Sequence, residues 1–401
     1  MNILLHKTAC SLSALLILAA ACVMSSGCSD DGSHGPENPA DGKTEVSLRF
    51  TVVTRNASQV SRADDCIGDE QGTIAENYLN LQDIQFFIFN ADRQLLATFF
   101  PDIKADDSNS SYSRYFVTAT LTLPYFDKAV EENSASIPFY IMVVANTRNL
   151  GGRSINALPG TGIDDILSQN ITFNSPANIS TTAGWNPDYN NNRYIPMSGI
   201  QRFTVSADNL VASGADNPLT LDDDINMLRA LAKIEVIDRI PEERGATIGS
   251  VGLNGFFTSG TILPEADQWP GYVTANVTLP TMPAGAVYDT AAPLLFVKES
   301  DSPSVFSAYV TEYSYETALQ QRPLVTVSLN QKDGTTLTRP FYLAKYNQTA
   351  DGGQFAGPVT ELLRNHIYRY EVVGLSAESE IQLYYTVCPM TDVTSGDISF
   401  N

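Results

Sequence analysis

Val46-Ser47-Leu48-Arg49-Phe50-Thr51-Val52-Val53 is the stretch on which the fold turns: Val46, Leu48, Phe50 and Val52 alternate with Ser47, Arg49, Thr51 and Val53. Apolar residues at every second position mark a strand with one buried and one open face. The pattern ends at Arg55. Over 56–78 it gives way to a polar run containing Arg62-Ala63, read as a loop, and strand character returns at Ile84-Gln85-Phe86-Phe87-Ile88-Phe89. Strands are further expected over 115–123 and 139–145, the second a continuous apolar run of the kind covered on both faces. Helical signals are sparse, the clearest being 164–169, which begins with acidic residues suited to a helix N-terminus. The Asn-rich 186–193 reads as a loop, and 206–224, rich in Asp, Asn, Gly and Pro, places a domain boundary near residue 215. Beyond it, Ile234 and Val236 alternate with Lys233 and Glu235 in a strand within 225–237, followed by candidates at 247–253, 272–279, 294–297, 324–329, 367–373, 381–387 and 397–400. Short strands between turn residues favour antiparallel sheets over a parallel α/β arrangement. The expected class is all-β, with two antiparallel β-sandwiches in tandem over 46–215 and 216–401.

The N-terminus reads as an export signal over 1–27, with Lys7 as its positive element, an apolar stretch over 9–24 and the small residues Ser25, Ser26 and Gly27. Cys28 follows directly, an order that resembles a lipobox, in which the Cys becomes the lipidated first residue. Ser25 stands where Leu is usual in that motif. Residues 28–45 form a polar tether with Pro and Gly that cannot bury apolar area. Its start, Ser29-Asp30-Asp31, is similar to the acidic signal that sends Bacteroidetes lipoproteins to the outer face of the outer membrane.

The formal net charge of −21 at pH 7 argues against nucleic acid or an anionic lipid surface as partner, since both demand a basic face. Of the 5 Cys, Cys10 and Cys22 fall in the signal and Cys28 takes lipid, leaving Cys66 and Cys388, too few for a disulfide framework. Catalytic chemistry finds little support. Of the 3 His, only His34 in the tether and His366 in an expected strand follow the signal, and no GxSxG elbow serves His366. No His/Cys pair has ligand spacing, and Asp222-Asp223-Asp224 lacks the spacing of a calcium loop, so neither metal nor cofactor is expected. Trp185 and Trp269 read as core or loop anchors rather than a sugar platform. Leu158-Pro159-Gly160-Thr161-Gly162 matches a sortase string but sits in mid-chain and reads as a turn. Asp289-Thr290-Ala291 is similar to the short O-glycosylation signal of Bacteroidetes, which makes Thr290 a modification candidate.

Taken in order behind the lipobox, several segments resemble the Bacteroidetes fimbrillin family, the FimA-like and Mfa-like subunits of donor-strand pili. They are the strand at 46–55 followed by Arg62-Ala63, IQFFIFN at 84–90, FYIMVVAN at 139–146, IPMSG at 195–199, LRALAKIEV at 228–236 and LLRNHIYRYEV at 362–372. Cys388-Pro389-Met390 stands where many relatives carry a Pro-Trp pair. The resemblance implies two transthyretin-like sandwich domains and no enzymatic activity. It also implies a cell-surface fimbrium held to the outer membrane by lipid on Cys28, with other fimbrial subunits and an Arg-specific protease as partners. The strand to be removed is then Val46, Leu48, Phe50 and Val52 with their neighbours. The cut falls between Arg62 and Ala63, with Arg55 and Asn56 as the alternative. The donor strand is C-terminal, with Ile398 and Phe400 as pocket fillers. Stalk, tip and anchor roles stay open, as does a surface lipoprotein that binds glycan or host protein without polymerising.

Overall fold

Alternation is realised where it is strongest. In the computed structural model, β1 (Glu45–Val53) turns Val46, Leu48, Phe50 and Val52 inward, each no more than 1% exposed. The structure describes residues 44–54, 56–57, 73–106, 114–169, 172–176, 184–264, 286–314, 323–349, 352–359, 361–376, 380–389 and 391–392, all within the unit Lys43–Asn401. After β1 come β2 (Ile84–Phe89), β3 (Leu95–Phe99), β4 (Asp102–Ala105), β5 (Arg114–Thr122), β6 (Ile137–Ala145) and β7 (Met197–Val205). They form two sheets. One runs Leu219–Thr220, β1, β5, β4, with Ile225–Asn226 also on β1; the other runs Leu228–Arg229, β7, β6, β2, β3. The continuous apolar run of β6 is explained by its place in mid-sheet, between β7 and β2. The inward faces of both sheets meet in one apolar core, with Phe50 edge-on to Phe86 at 6.2 Å.

The second pair of sheets uses β8 (Leu231–Asp238), β9 (Ala246–Asn254), β10 (Ser304–Thr311), β11 (Leu324–Gln331), β12 (Thr336–Tyr342), β13 (His366–Leu375) and β14 (Ile381–Pro389). One sheet runs Val297–Asp301, β10, β8, β13, β14 and the other Leu294–Leu295, β9, β11, β12, enclosing a second core. The class is therefore all-β and sandwich-like, as expected. Two departures are physical. β8 and β13 run parallel, because the intervening chain crosses to the facing sheet and returns from the same end. The expected strand within 225–237 is broken into three pieces, since each piece serves different neighbours: the first β1, the second β7, the third β10 and β13.

The two cores are stitched together. Ser259–Thr261 pairs with Thr172–Asn174, and Ile262, Leu263 and Tyr309 join the first core although they lie in the second half of the chain. Gly260 is required there, because a Cβ would come within 2.9 Å of the Thr311 side chain. The loop expected over 56–78 holds a four-residue helix, α1 (Ile74–Asn77), closed by a capping box between Thr73 and Glu76. The 158–162 string forms the expected turn, with the Thr161 amide on the Leu158 carbonyl and Gly160 at positive φ. The expected segments 1–27, 272–279 and 397–400, with Trp269, lie outside the described residues.

Candidate functional site

β1 is an inner strand with unequal neighbours. On one side it pairs with β5 along its whole length, from Glu45 with Thr122 to Val53 with Arg114. On the other it meets only two parallel two-residue pieces, Leu48-Arg49 with Leu219-Thr220 and Val52-Val53 with Ile225-Asn226. The Leu221 amide donates to the Arg49 carbonyl at 2.8 Å and the Met227 amide to the Val53 carbonyl at 2.8 Å. Between those two pieces Asp224 reaches Arg114 of β5 at 3.3 Å, an exposed pair of small energetic weight. Underneath, the close approach of residues 225–227 to β7 depends on Gly199, whose Cβ would stand 2.4 Å from the Asn226 carbonyl. Burying four such apolar side chains contributes on the order of 6–12 kcal/mol. That is comparable to the whole net stability of an ordinary domain, roughly 5–15 kcal/mol. The place of β1 is thus a full-length apolar groove that cannot stand empty.

A buried charge network closes the far end of this groove. Arg229 is fully buried; its Nε donates to the Glu76 carbonyl at 3.0 Å, Nη1 to Asn365 Oδ1 at 2.8 Å, and Nη2 to the Thr54 carbonyl at 3.1 Å and to Asn77 Oδ1. Beside it, the Lys233 ammonium meets Glu76 at 3.2 Å, Glu235 at 2.9 Å and Glu299 at 3.2 Å. Tyr309 donates to Glu76, and Trp185 packs edge-on against the Tyr309 ring at 5.6 Å. Burial by itself pushes the Glu76 carboxyl up, but Lys233, the Tyr309 hydroxyl, the Thr73 amide and Arg229 outweigh it and hold it at about 2. Burial likewise works against the charge on Lys233, yet Tyr309 and the three carboxylates keep its pKa well above the ordinary lysine value. Glu235 is held low against its own burial by Lys233 and Arg369. The network is charged, paired and structural.

The expected strand residues Val46, Leu48, Phe50 and Val52 all fill the groove. Cys28, Arg55, Arg62, Ala63, Cys66, Ile398 and Phe400 lie outside the described residues. Asn56, with Ala57, pairs in parallel with Thr391–Asp392. Thr290 is exposed, just after Tyr288–Asp289. His366 turns Nδ1 to the Arg364 carbonyl at 2.8 Å, and Trp185 is a buried core residue. No group of three or more His, Cys, Asp or Glu among the described residues is placed to hold a metal ion. Sequence reasoning missed Arg229, Lys233 and Glu76. The available signal was the charged residues Arg229, Lys233 and Glu235 set in the largely apolar run LRALAKIEV.

No family model and no curated protein matches the chain. Among solved structures, the chain is similar to a fimbrial assembly protein from Parabacteroides distasonis, with 13% identity and a TM-score of 0.42 over 86% of this chain and 96% of that one. It is also similar to the C-terminally truncated tip fimbrial protein Mfa3 from Porphyromonas gingivalis, with 14% identity and a TM-score of 0.47 over 86% of this chain and 99% of that one.

Proposed function

We propose that the chain is a structural subunit of a cell-surface fimbrium, delivered to the outer membrane as a lipoprotein through Cys28. In this reading it is joined to neighbouring subunits by exchanging β1 for an extended strand of another subunit. The observation that carries the reading is the setting of β1: inner in its sheet, apolar at every second position, fully paired on one side only and followed by candidate cleavage sites. Removing such a strand leaves unpaired main-chain groups on β5 and an apolar trough, which an incoming strand satisfies by β-strand addition. Cleavage after Arg62, or alternatively after Arg55, frees the strand, and the C-terminal segment with Ile398 and Phe400 is the donor. Thr290 is a surface position for O-glycosylation. The role is mechanical, with other subunits as partners.

The test is incubation of the soluble chain, begun after Cys28, with a trypsin-like Arg-specific protease, followed by mass spectrometry and gel electrophoresis without boiling. A single cut after Arg62 or Arg55 and a detergent-resistant ladder are expected. A cut without a ladder, or an uncut chain, replaces this reading with an anchor, a tip or a monomeric surface adhesin.

A further inference from the structure

An arginine in a wholly buried position has to be held by geometry, because its fork of N–H donors cannot discharge. The four acceptors around Arg229 described above are all neutral oxygens, two of them main-chain carbonyls. One carbonyl, that of Thr54, belongs to the residue just past β1; the others come from α1 and from Asn365 in the turn before β13. Arg229 itself stays with β7, through the pairing of Leu228 with Ser198 and of Arg229 with Met197. Two residues earlier the Met227 amide holds the Val53 carbonyl. Consecutive carbonyls at the end of the groove are therefore gripped by one short segment, 227–229, that does not move with β1.

From this we infer that Arg229 sets the register and the reach of whatever strand fills the groove. The inference rests on the strand-exchange reading above and adds a chemical requirement on the occupant. β1 shows what that requirement is: its apolar side chains stand at four alternate positions and the chain continues two residues past the fourth, so that the Thr54 carbonyl arrives at the guanidinium, and an incoming strand has to bring a main-chain carbonyl to the same point. Thr54, which supplies it here, is fully buried. A peptide that stops at the fourth apolar residue leaves a buried cation short of an acceptor, which is costly in a site with no exposed surface. A strand slipped by one residue presents its polar face to the core and moves the carbonyl off the fork. Lysine cannot replace the arginine, because a single ammonium cannot span acceptors on three sides.

Amide hydrogen exchange on the full chain begun after Cys28, read by mass spectrometry, tests this in Arg229→Lys. Exchange is expected to rise about tenfold over 50–54, 114–117 and 225–227, with less than about twofold change over 246–254 and 324–331. A uniform rise in both cores, or none at 50–54, overturns the inference. If Arg229→Lys does not accumulate folded, Asn365→Ala loosens the guanidinium from the side away from Thr54, and the same gradient, weaker, is expected. The groove reading is judged separately: a protease-induced ladder from the unsubstituted chain together with no local gradient sinks the register role alone. A local gradient with no ladder sinks strand exchange and with it the rule for an incoming strand.

Discussion

Glu76 illustrates how a single carboxylate can tie stability to pH. It has no exposed surface, and its folded pKa of about 2 lies below the ordinary 4.5 because Lys233, Tyr309, Thr73 and Arg229 all favour the charged form. A depressed carboxyl contributes stability that is complete above its unfolded value and drains away as pH falls through the folded one. For this group the window runs from about pH 5 down to about pH 2, and the contribution is about 3 kcal/mol. The raised Lys233 has the opposite sense and keeps its contribution at neutral pH. Glu76→Gln preserves the shape but removes one of the three counter-charges around a buried ammonium, so a loss of roughly 3–5 kcal/mol is expected at neutral pH. The variant's urea midpoint is also expected to fall less steeply with acid than that of the unsubstituted chain. Parallel acid limbs would show that the network does not depend on this carboxylate.

Within an element, burial alternates and so do the consequences of substitution. Phe50 fills the core against Phe86, whereas Thr51, next in β1, is only half-buried on the other face. Phe50→Ala is expected to cost roughly 3–5 kcal/mol. Thr51→Ala is expected to stay within about 1 kcal/mol, and equal shifts in urea midpoint would contradict the groove geometry. The same alternation made β1 and β5 readable from sequence, and the unbroken apolar run made β6 readable as a strand covered on both faces. Other elements carried weaker signals. β12 contains Pro340, which argues against a strand interior, yet β12 lies at a sheet edge where a missing amide donor is tolerated. β7 contains Gly199 and Arg202, and its period is blurred by the close approach that the glycine permits. The burial of Arg229 and Lys233 was not legible because most of their acceptors, on Thr54, α1, Glu299 and Asn365, are far away in the sequence. Local pattern can announce a strand, but not the distant oxygen that lets a cation enter the core.

Across the molecule, the second half of the chain places Ile262, Leu263 and Tyr309 in the first core and holds a second buried arginine, which ties the unfolding of the two cores together. Arg364 lies in LLRNHIYRYEV and is 3% exposed. Its Nε meets Glu312 at 2.8 Å, and its Nη1 and Nη2 donate to the Ile262 and Thr261 carbonyls at 2.9 Å and 3.0 Å. Those carbonyls belong to the very segment that pairs with Thr172–Asn174 and inserts Ile262 and Leu263 into the first core. Arg364 thus pins the second half of the chain to a piece of itself that is packed in the first. Truncating it in Arg364→Ala takes the counter-charge from the buried Glu312 carboxylate and a donor from each of two carbonyls, a loss of roughly 3–5 kcal/mol by comparison with other broken buried pairs. The loss falls on the connection rather than on either core, whose remaining buried side chains are unchanged. The unsubstituted chain is therefore expected to melt in one calorimetric transition, and Arg364→Ala in two, the lower of them shifted further. A single transition moved down as a whole would mean that the cores hold together without this residue, through links such as Ser259–Thr261, Tyr309 and the Arg229 and Lys233 network.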